Sequence, residues 1–86
     1  KRSARAIVAE GVQAGFPDLL IFDEPPNLFA YVGLAIEMKV ADRKKGKVSP
    51  KQAIWLERLD KRGWLTKVCY GYSEAVSYMR EVGYKV

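Results

Sequence analysis

The stretch that decides the fold is "SPKQAIWLERLDKRG", residues Ser49–Gly63. Ser49 is a good helix N-cap, Pro50 suits the first helical position, and Gln52 stands three residues after the cap, where it completes a capping box. Gly63 is a typical helix terminator. The apolar stripe of this helix is expected from Ile54 or Trp55 together with Leu56 and Leu59.

Apolar runs with the composition of β-strands lie on both sides of this helix. The run "WLTKVCYGY" (64–72) follows it, and the run "LFAYVGLAIEMKVA" (28–41) precedes it and is long enough for one extended strand entered through Gly33. A helix between two strands forms a crossover connection. We therefore expect these two strands to be parallel in a mixed sheet.

The outer parts of the chain complete the predicted order. The run "DLLIF" (18–22) has β character, and "DEPPN" (23–27) is a turn because two prolines cannot occupy the interior of a sheet. A short helix is expected over residues 3–12, and a last helix is expected to be capped by Ser73 and closed by Gly83. The fold class is therefore α/β, a small mixed sheet flanked by helices in the order α-β-β-α-β-α, forming a single domain over residues 1–86.

Composition restricts the chemistry that this chain can perform. It has 86 residues and no histidine, which excludes Ser-His-Asp triads and histidine-metal nucleases built from this chain alone. The single cysteine, Cys69, excludes an internal disulfide and fits a reducing, cytoplasmic location. No apolar run approaches the roughly 18 residues that span a bilayer, and no stretch resembles a signal peptide. The chain begins at Lys1 without a methionine, so we expect further residues upstream.

The net charge of +5 is unevenly distributed, because Lys1, Arg2 and Arg5 open the chain and a second basic group lies in the middle. Five basic residues cluster there against a single acid, Asp42: Arg43, Lys44, Lys45, Lys47 and Lys51. A basic cluster in a small protein favours a polyanionic partner, most often nucleic acid. A solubilising loop explains the cluster equally well.

The stretch "AIEMKV" (35–40) carries an acid and a base on one strand face. Side chains alternate along a strand, so Glu37 and Lys39 share a face. An exposed ion pair is one explanation. If the first two strands pair antiparallel, however, Asp18 lies close to Glu37, and two adjacent carboxylates repel unless a cation stands between them. Asp18, Glu37 and the Met38 carbonyl would then offer oxygen ligands to Mg²⁺, with Lys39 beside the attacking water.

These residues resemble a known nuclease signature. Pro17-Asp18 followed by Glu37-x-Lys39 resembles the PD-(D/E)xK motif. The stretches "GFPDLLIF", "IEMKV", "SPKQAIWLERLDKRGW" and "VCYGYSEAVSYM" together resemble the virus-type replication-repair nuclease (VRR-NUC) domain, particularly its short stand-alone phage form, over about residues 10–80. The resemblance implies a restriction-endonuclease-like core and a Mg²⁺- or Mn²⁺-dependent DNA endonuclease.

The resemblance also implies roles for individual residues. The catalytic residues would be Asp18, Glu37, Lys39 and Gln52. The metal ligands would be Asp18, Glu37 and the Met38 backbone carbonyl. Gln52 would support the lysine and the attacking water, although its capping-box position explains it without catalysis. Related nucleases often carry a further acid in an N-terminal helix, and we assign no role to Glu10, the only acid upstream of Asp18.

The expected substrate and partner also follow from the resemblance. It implies branched DNA such as a four-way junction, cut by a homodimer, with aromatic residues of the last helix such as Tyr78 as interface candidates. An alternative function is a catalytically weak DNA-binding or assembly module that retains the fold. An RNA-binding domain would explain the charge and the aromatic residues but leaves Asp18 and Glu37 unexplained.

Overall fold

A computed structural model describes residues 14–86, and the helix expected over residues 3–12 lies outside this range. The described elements, in chain order, are β1 (Leu19–Ile21), β2 (Leu34–Lys39), α1 (Pro50–Lys61), β3 (Leu65–Tyr70) and α2 (Tyr72–Glu81). The predicted class, a small mixed sheet with flanking helices, is confirmed for this part of the chain. No helix within it has the length and apolar character needed to span a bilayer.

The sheet has the strand order β1-β2-β3, with β2 in the centre. β1 pairs antiparallel with β2, where Leu19 stands opposite Ile36, and β2 pairs parallel with β3, where Lys39 stands opposite Tyr70. Both pairings agree with the sequence prediction. Because β1 and β2 are antiparallel, the first residue of β1 and the last residue of β2 lie toward the same end of the sheet.

The prediction of one long strand over residues 28–41 is wrong, because β2 covers only Leu34–Lys39. Its pairing with β3 begins at Leu34–Leu65 and ends at Lys39–Tyr70, and β1 is only three residues long. A Cβ on Gly33 would lie 2.4 Å from the Ile21 carbonyl oxygen and 2.6 Å from the Trp64 ring. Gly33 therefore permits a close crossing of backbone and ring just before β2 begins. Phe29, in the turn segment that precedes it, is 86% exposed.

The hydrophobic core lies between the sheet and α2. Leu34, Ile36, Cys69 and Ala75 form its buried centre, and Tyr78 and Met79 of α2 pack against them. Cys69 is free and fully buried. Since side chains alternate along β2, Glu37 and Lys39 point to the opposite face, which carries α1.

The ends of α1 agree with the sequence prediction. The Ser49 hydroxyl accepts a 3.2 Å hydrogen bond from the Gln52 N–H, and the Ser49 N–H donates at 2.9 Å to Gln52 Oε1. This is the reciprocal capping box. Gly63, just beyond the last turn, has a φ of +95°. Leu59 is buried, whereas Ile54 is half exposed, so Trp55 rather than Ile54 belongs to the inward-facing side.

The predicted cap of the last helix is wrong. α2 begins at Tyr72 directly after Gly71, and Ser73 already lies inside the first turn. Gly71 has a φ of +90°, and its N–H donates a 2.8 Å hydrogen bond to the Lys39 carbonyl. The sharp turn from β3 into α2 thus depends on a glycine conformation rather than on a serine side chain. Gly83 follows the helix as predicted, with a φ of +107°.

Candidate active site

Asp18 lies where β1 begins, directly beside the centre of β2. Continuing the β1–β2 register by one residue from the Leu19–Ile36 pair places Asp18 opposite Glu37, so both side chains share the α1 face of the sheet. Asp18 Oδ2 accepts a 2.8 Å hydrogen bond from the Met38 N–H. The backbone of β2 therefore fixes this carboxylate next to Glu37.

Glu37 is only 2% exposed, and among residues 14–86 no other charged residue is buried. Its Oε2 accepts a 2.7 Å hydrogen bond from Gln52 Nε2 and lies 3.6 Å from Lys39 Nζ. Its Oε1 is buried and has no hydrogen-bond partner among residues 14–86. An unpartnered buried carboxylate oxygen is costly, by about 1–3 kcal/mol or more for a charged group. Such an atom points to a ligand that completes the site.

The surroundings of Glu37 change its acidity. Burial, and after it the negative charge of Asp18, raise the pKa of Glu37 from 4.5 to about 7, although the Lys39 ammonium opposes the shift. The two carboxyl groups are close enough to share a proton in a hydrogen bond. Near neutral pH, Glu37 is therefore partly protonated until a cation compensates the two charges.

Gln52 joins the start of α1 to the side chains of β2. Its Oε1 accepts hydrogen bonds from the Ser49 N–H at 2.9 Å and from Lys39 Nζ at 2.6 Å. Its Nε2 donates to Glu37. The capping role and the contact with the acid and the lysine therefore occur together. We call Asp18, Glu37, Lys39 and Gln52 the site cluster.

The site cluster fits a hard divalent cation. Within residues 14–86 there is no group of three or more histidine, cysteine or acidic residues that could hold a metal, so two carboxylates must be completed by other oxygens. The N–H and C=O of one strand residue point to the same side, so the Met38 carbonyl faces the same edge as the N–H that Asp18 accepts. Carboxylate and carbonyl oxygens suit Mg²⁺ or Mn²⁺.

The residues predicted to bind nucleic acid lie near the end of the sheet where β1 begins and β2 ends. Residues 42–47, which we call the basic loop, follow β2, and Lys44, Lys45 and Lys47 are exposed there, as is Lys51 in the first turn of α1. Arg43 differs from these lysines. Its guanidinium pairs with Glu74 at 2.8 Å and lies 4.2 Å from the centre of the Tyr70 ring.

Two features beside the site were not found from the sequence. Gly46 is buried against Lys39, and Glu74 of α2 holds Arg43. A glycine inside a basic loop close to the Glu-x-Lys motif was the available signal for the first. No sequence signal was available for the second, because Arg43 and Glu74 meet only through the tertiary fold.

A shallow surface pocket of about 230 Å³ lies on α1. It is lined by Ala14, Lys51, Ile54, Trp55 and Arg58. Phe16 packs edge-on against Trp55 at 4.9 Å, and the Arg58 guanidinium lies 5.2 Å from the Trp55 ring. Trp55 is therefore half-buried, and it packs against the segment that leads into β1.

Comparison with known proteins supports the resemblance seen in the sequence. The VRR-NUC domain family matches residues 1–73. A solved structure of a VRR_NUC domain protein is similar with a TM-score of 0.68 and 29% sequence identity, over 96% of this chain. This chain spans 64% of that protein's chain. No curated protein matches it.

Proposed function

This chain belongs to the VRR-NUC domain family, and from that premise we propose that it is a metal-dependent endonuclease that hydrolyses DNA phosphodiester bonds. Membership supports a nuclease-type domain. The observation that carries the more specific proposal is the buried Glu37 Oε1 beside Asp18, for which the described part of the chain supplies no hydrogen-bond partner. Two carboxylates held together at a sheet edge, with a lysine hydrogen-bonded into the same cluster, match the requirements of metal-assisted phosphodiester hydrolysis.

Asp18, Glu37 and the Met38 carbonyl are the residues that would hold Mg²⁺ or Mn²⁺. A cation bound there supplies positive charge that polarises a phosphate oxygen and acidifies the attacking water. The protein contributes a fixed geometry, since the Met38 N–H holds Asp18 and the Gln52 amide holds Glu37. Both carboxylates are therefore oriented before a ligand arrives.

Lys39 would orient the attacking water and stabilise the charge that develops on the phosphate. Its side chain is 14% exposed, and its ammonium group is held 2.6 Å from Gln52 Oε1. An ammonium has three donors, so this bond and the nearby Glu37 leave donor capacity for substrate. Gln52 thus serves as the support that aims Lys39.

The exposed lysines beside the site would bind the DNA backbone. Lys44, Lys45 and Lys47 lie in the basic loop next to the end of β2, and Lys51 lies one residue before Gln52. Phosphate contacts of this kind position the duplex without reading its sequence. They make affinity fall with rising salt concentration.

Within this activity we propose selectivity for branched DNA such as four-way junctions, and a homodimer that cuts two strands. The family resemblance supports both. Tyr78 is less suited to the dimer interface than the sequence suggested, because it packs against the core and Lys67 Nζ lies 4.9 Å from its ring. Phe29 and Tyr72, at 86% and 80% exposure, are more exposed aromatic side chains, and we propose them as interface candidates instead.

A substrate panel tests this function. Linear, flapped, forked and four-way DNAs are incubated with the protein in Mg²⁺, Mn²⁺, Ca²⁺ or EDTA, and products are resolved on denaturing gels. We expect cleavage with Mg²⁺ or Mn²⁺ and the fastest cleavage of the four-way DNA. Binding without cleavage under every metal condition would instead identify a catalytically weak DNA-binding module. Light scattering of the protein and its junction complex tests the dimer.

A further inference from the structure

The basic loop is folded into a compact turn around Asp42. Asp42 Oδ1 accepts a 2.9 Å hydrogen bond from the Lys44 N–H, and its carbonyl accepts from the N–H groups of Lys45 and Gly46 at 3.0 and 3.1 Å. A short aspartate side chain that bonds backbone two residues on is a common way to fix a turn. The loop therefore has a definite shape that its charges alone would not give it.

Gly46 brings the backbone of the basic loop directly onto Lys39. A Cβ at Gly46 would lie 2.9 Å from Lys39 Cβ, 3.3 Å from the Val40 carbonyl oxygen and 3.4 Å from Tyr70 Cε1. Glycine is the residue that permits such a close approach. The position of the loop and the position of the Lys39 stem are consequently coupled through direct contact.

Arg43 connects the same loop to the end of β3 and the start of α2. Its guanidinium donates to Glu74 Oε1 at 2.8 Å and stacks over Tyr70, which stands opposite Lys39 in the β2–β3 register. Glu74 lies in the first turn of α2, so its contact with Arg43 joins the basic loop to this helix. Surface ion pairs and cation–π contacts are individually weak, so they decide the position of a loop rather than the stability of a fold.

We propose that Arg43 is a positioning residue for Lys39, rather than a residue that binds the DNA backbone. By docking the basic loop on Tyr70 and Glu74, Arg43 keeps Gly46 packed against Lys39. This packing limits the rotamers of a long, flexible side chain and holds its ammonium on Gln52. The inference rests on the proposed nuclease function and deepens it.

Glu74→Gln separates positioning from DNA binding because the two roles predict opposite results. If Arg43 binds phosphate, removing its acidic partner frees the guanidinium and strengthens DNA binding. If Arg43 positions Lys39, the same change undocks the loop and slows turnover. We expect Arg43→Ala to lower kcat by about 3- to 30-fold, the range that loss of one exposed ion pair and one cation–π contact allows. Glu74→Gln removes the ion pair and leaves the Tyr70 contact, so we expect it to lower kcat by a smaller factor, about 2- to 5-fold.

The matched controls are Lys61→Ala and Glu57→Gln. These residues form an exposed ion pair on α1, at 3.2 Å, outside the site cluster and the basic loop. The controls remove the same charges as the test variants, and we expect both to keep the wild-type kcat. The double variant Arg43→Ala/Glu74→Gln should lose no more than Arg43→Ala alone, because Glu74 acts on the loop through the Arg43 guanidinium.

Amide hydrogen exchange in the metal-free protein gives a readout that does not depend on activity. We expect the N–H groups of Lys45 and Gly46 to exchange faster in Arg43→Ala and in Glu74→Gln than in the two controls. If Arg43→Ala raises KM with kcat unchanged, and Glu74→Gln lowers KM, the positioning role is overturned. A wild-type protein that cleaves no DNA overturns the nuclease proposal instead, and unchanged exchange at Lys45 and Gly46 overturns the docking of the loop whether or not the protein cleaves.

Discussion

The amide nitrogen of Gln52 lies 2.7 Å from Oε2 of Glu37 and donates a hydrogen bond to it. The oxygen of the same amide accepts both the Ser49 N–H that caps α1 and the ammonium group of Lys39. The Gln52 side chain therefore takes part both in the N-terminal cap of α1 and in the candidate active site. The orientation is unambiguous, because a carboxylate needs the donor end of the amide and an ammonium needs the acceptor end.

Relative to wild type at the same pH, the variant Gln52→Glu should lose more stability at pH 8 than at pH 5. It keeps an acceptor for the Ser49 N–H but turns the donor that faces Glu37 into a second carboxylate. At pH 8, where the Glu37 pKa of about 7 leaves the group ionised, we expect a loss of about 1–3 kcal/mol. At pH 5 a protonated Glu37 can donate to the new group.

Urea midpoints at the two pH values measure this difference. Glu57→Gln, an exposed acid-to-amide change on the same helix, is the control for solvent-facing charge. An equal loss of stability at pH 5 and pH 8 would show that Gln52 does not contact Glu37 in solution.

The metal-free protein should lose stability as the pH rises. The folded pKa of Glu37, about 7, lies above the ordinary glutamate pKa of 4.5, so the folded state holds a proton that the unfolded state releases. Stability is therefore highest below pH 4.5 as far as this group is concerned, and it falls by about 3 kcal/mol between pH 4.5 and pH 7.5.

Glu37→Gln removes this titration while preserving the shape of the side chain. Its stability should change less over the same pH range than that of wild type. Saturating Mn²⁺ should remove most of the fall in wild type, because metal binding and protonation compete for the same oxygens. Parallel pH profiles for wild type and Glu37→Gln would contradict the buried, proton-sharing site.

Lys39→Ala should reduce turnover by about 10²–10³-fold or more, the usual effect of removing a group that stabilises charge in the transition state. Divalent-metal affinity should change little, since an ammonium is not a ligand. Calorimetric titration with Mn²⁺ and single-turnover cleavage measure the two quantities. A variant that loses stability but keeps its turnover would show that Lys39 serves only as the ion-pair partner of Glu37.

The sequence was sufficient for the arrangement of the site because local rules determine it. Alternation along β2 puts Glu37 and Lys39 on one face, and the turn predicted at residues 23–27 favours an antiparallel β1, which brings Asp18 opposite Glu37. The capping box at Ser49 was likewise readable, since it depends on two residues at fixed spacing.

Features that depend on tertiary contacts could not be predicted in this way. The length of β2 matches its pairing with β3, which runs from Leu34–Leu65 to Lys39–Tyr70, and does not follow from the composition of the apolar run. Ser73 has the chemistry of an N-cap, but the turn after β3 is made by Gly71. Arg43 looked like its basic neighbours until the fold placed Tyr70 and Glu74 beside it.

Replacing Lys44, Lys45 and Lys47 by alanine should weaken binding to all DNA forms alike and flatten its salt dependence. For duplex DNA, the slope of log K against log salt becomes shallower by about 0.9 for each phosphate that the protein no longer neutralises. Fluorescence anisotropy in Ca²⁺ at several salt concentrations gives the slope without cleavage. An unchanged slope would show that these lysines do not contact the phosphates and that the basic loop only adds solubility.

The most direct test of the site cluster is Mn²⁺-dependent cleavage of a four-way DNA by wild type, Asp18→Asn and Asp60→Asn. Asp18→Asn removes one carboxylate charge of the site cluster while keeping a group that can accept the Met38 N–H, and Asp60→Asn makes the same change on the exposed surface of α1. We predict that wild type and Asp60→Asn cleave at equal rates, and that Asp18→Asn binds the DNA without cleaving it. Full Mn²⁺-dependent cleavage by Asp18→Asn would contradict the assignment of this cluster as the active site.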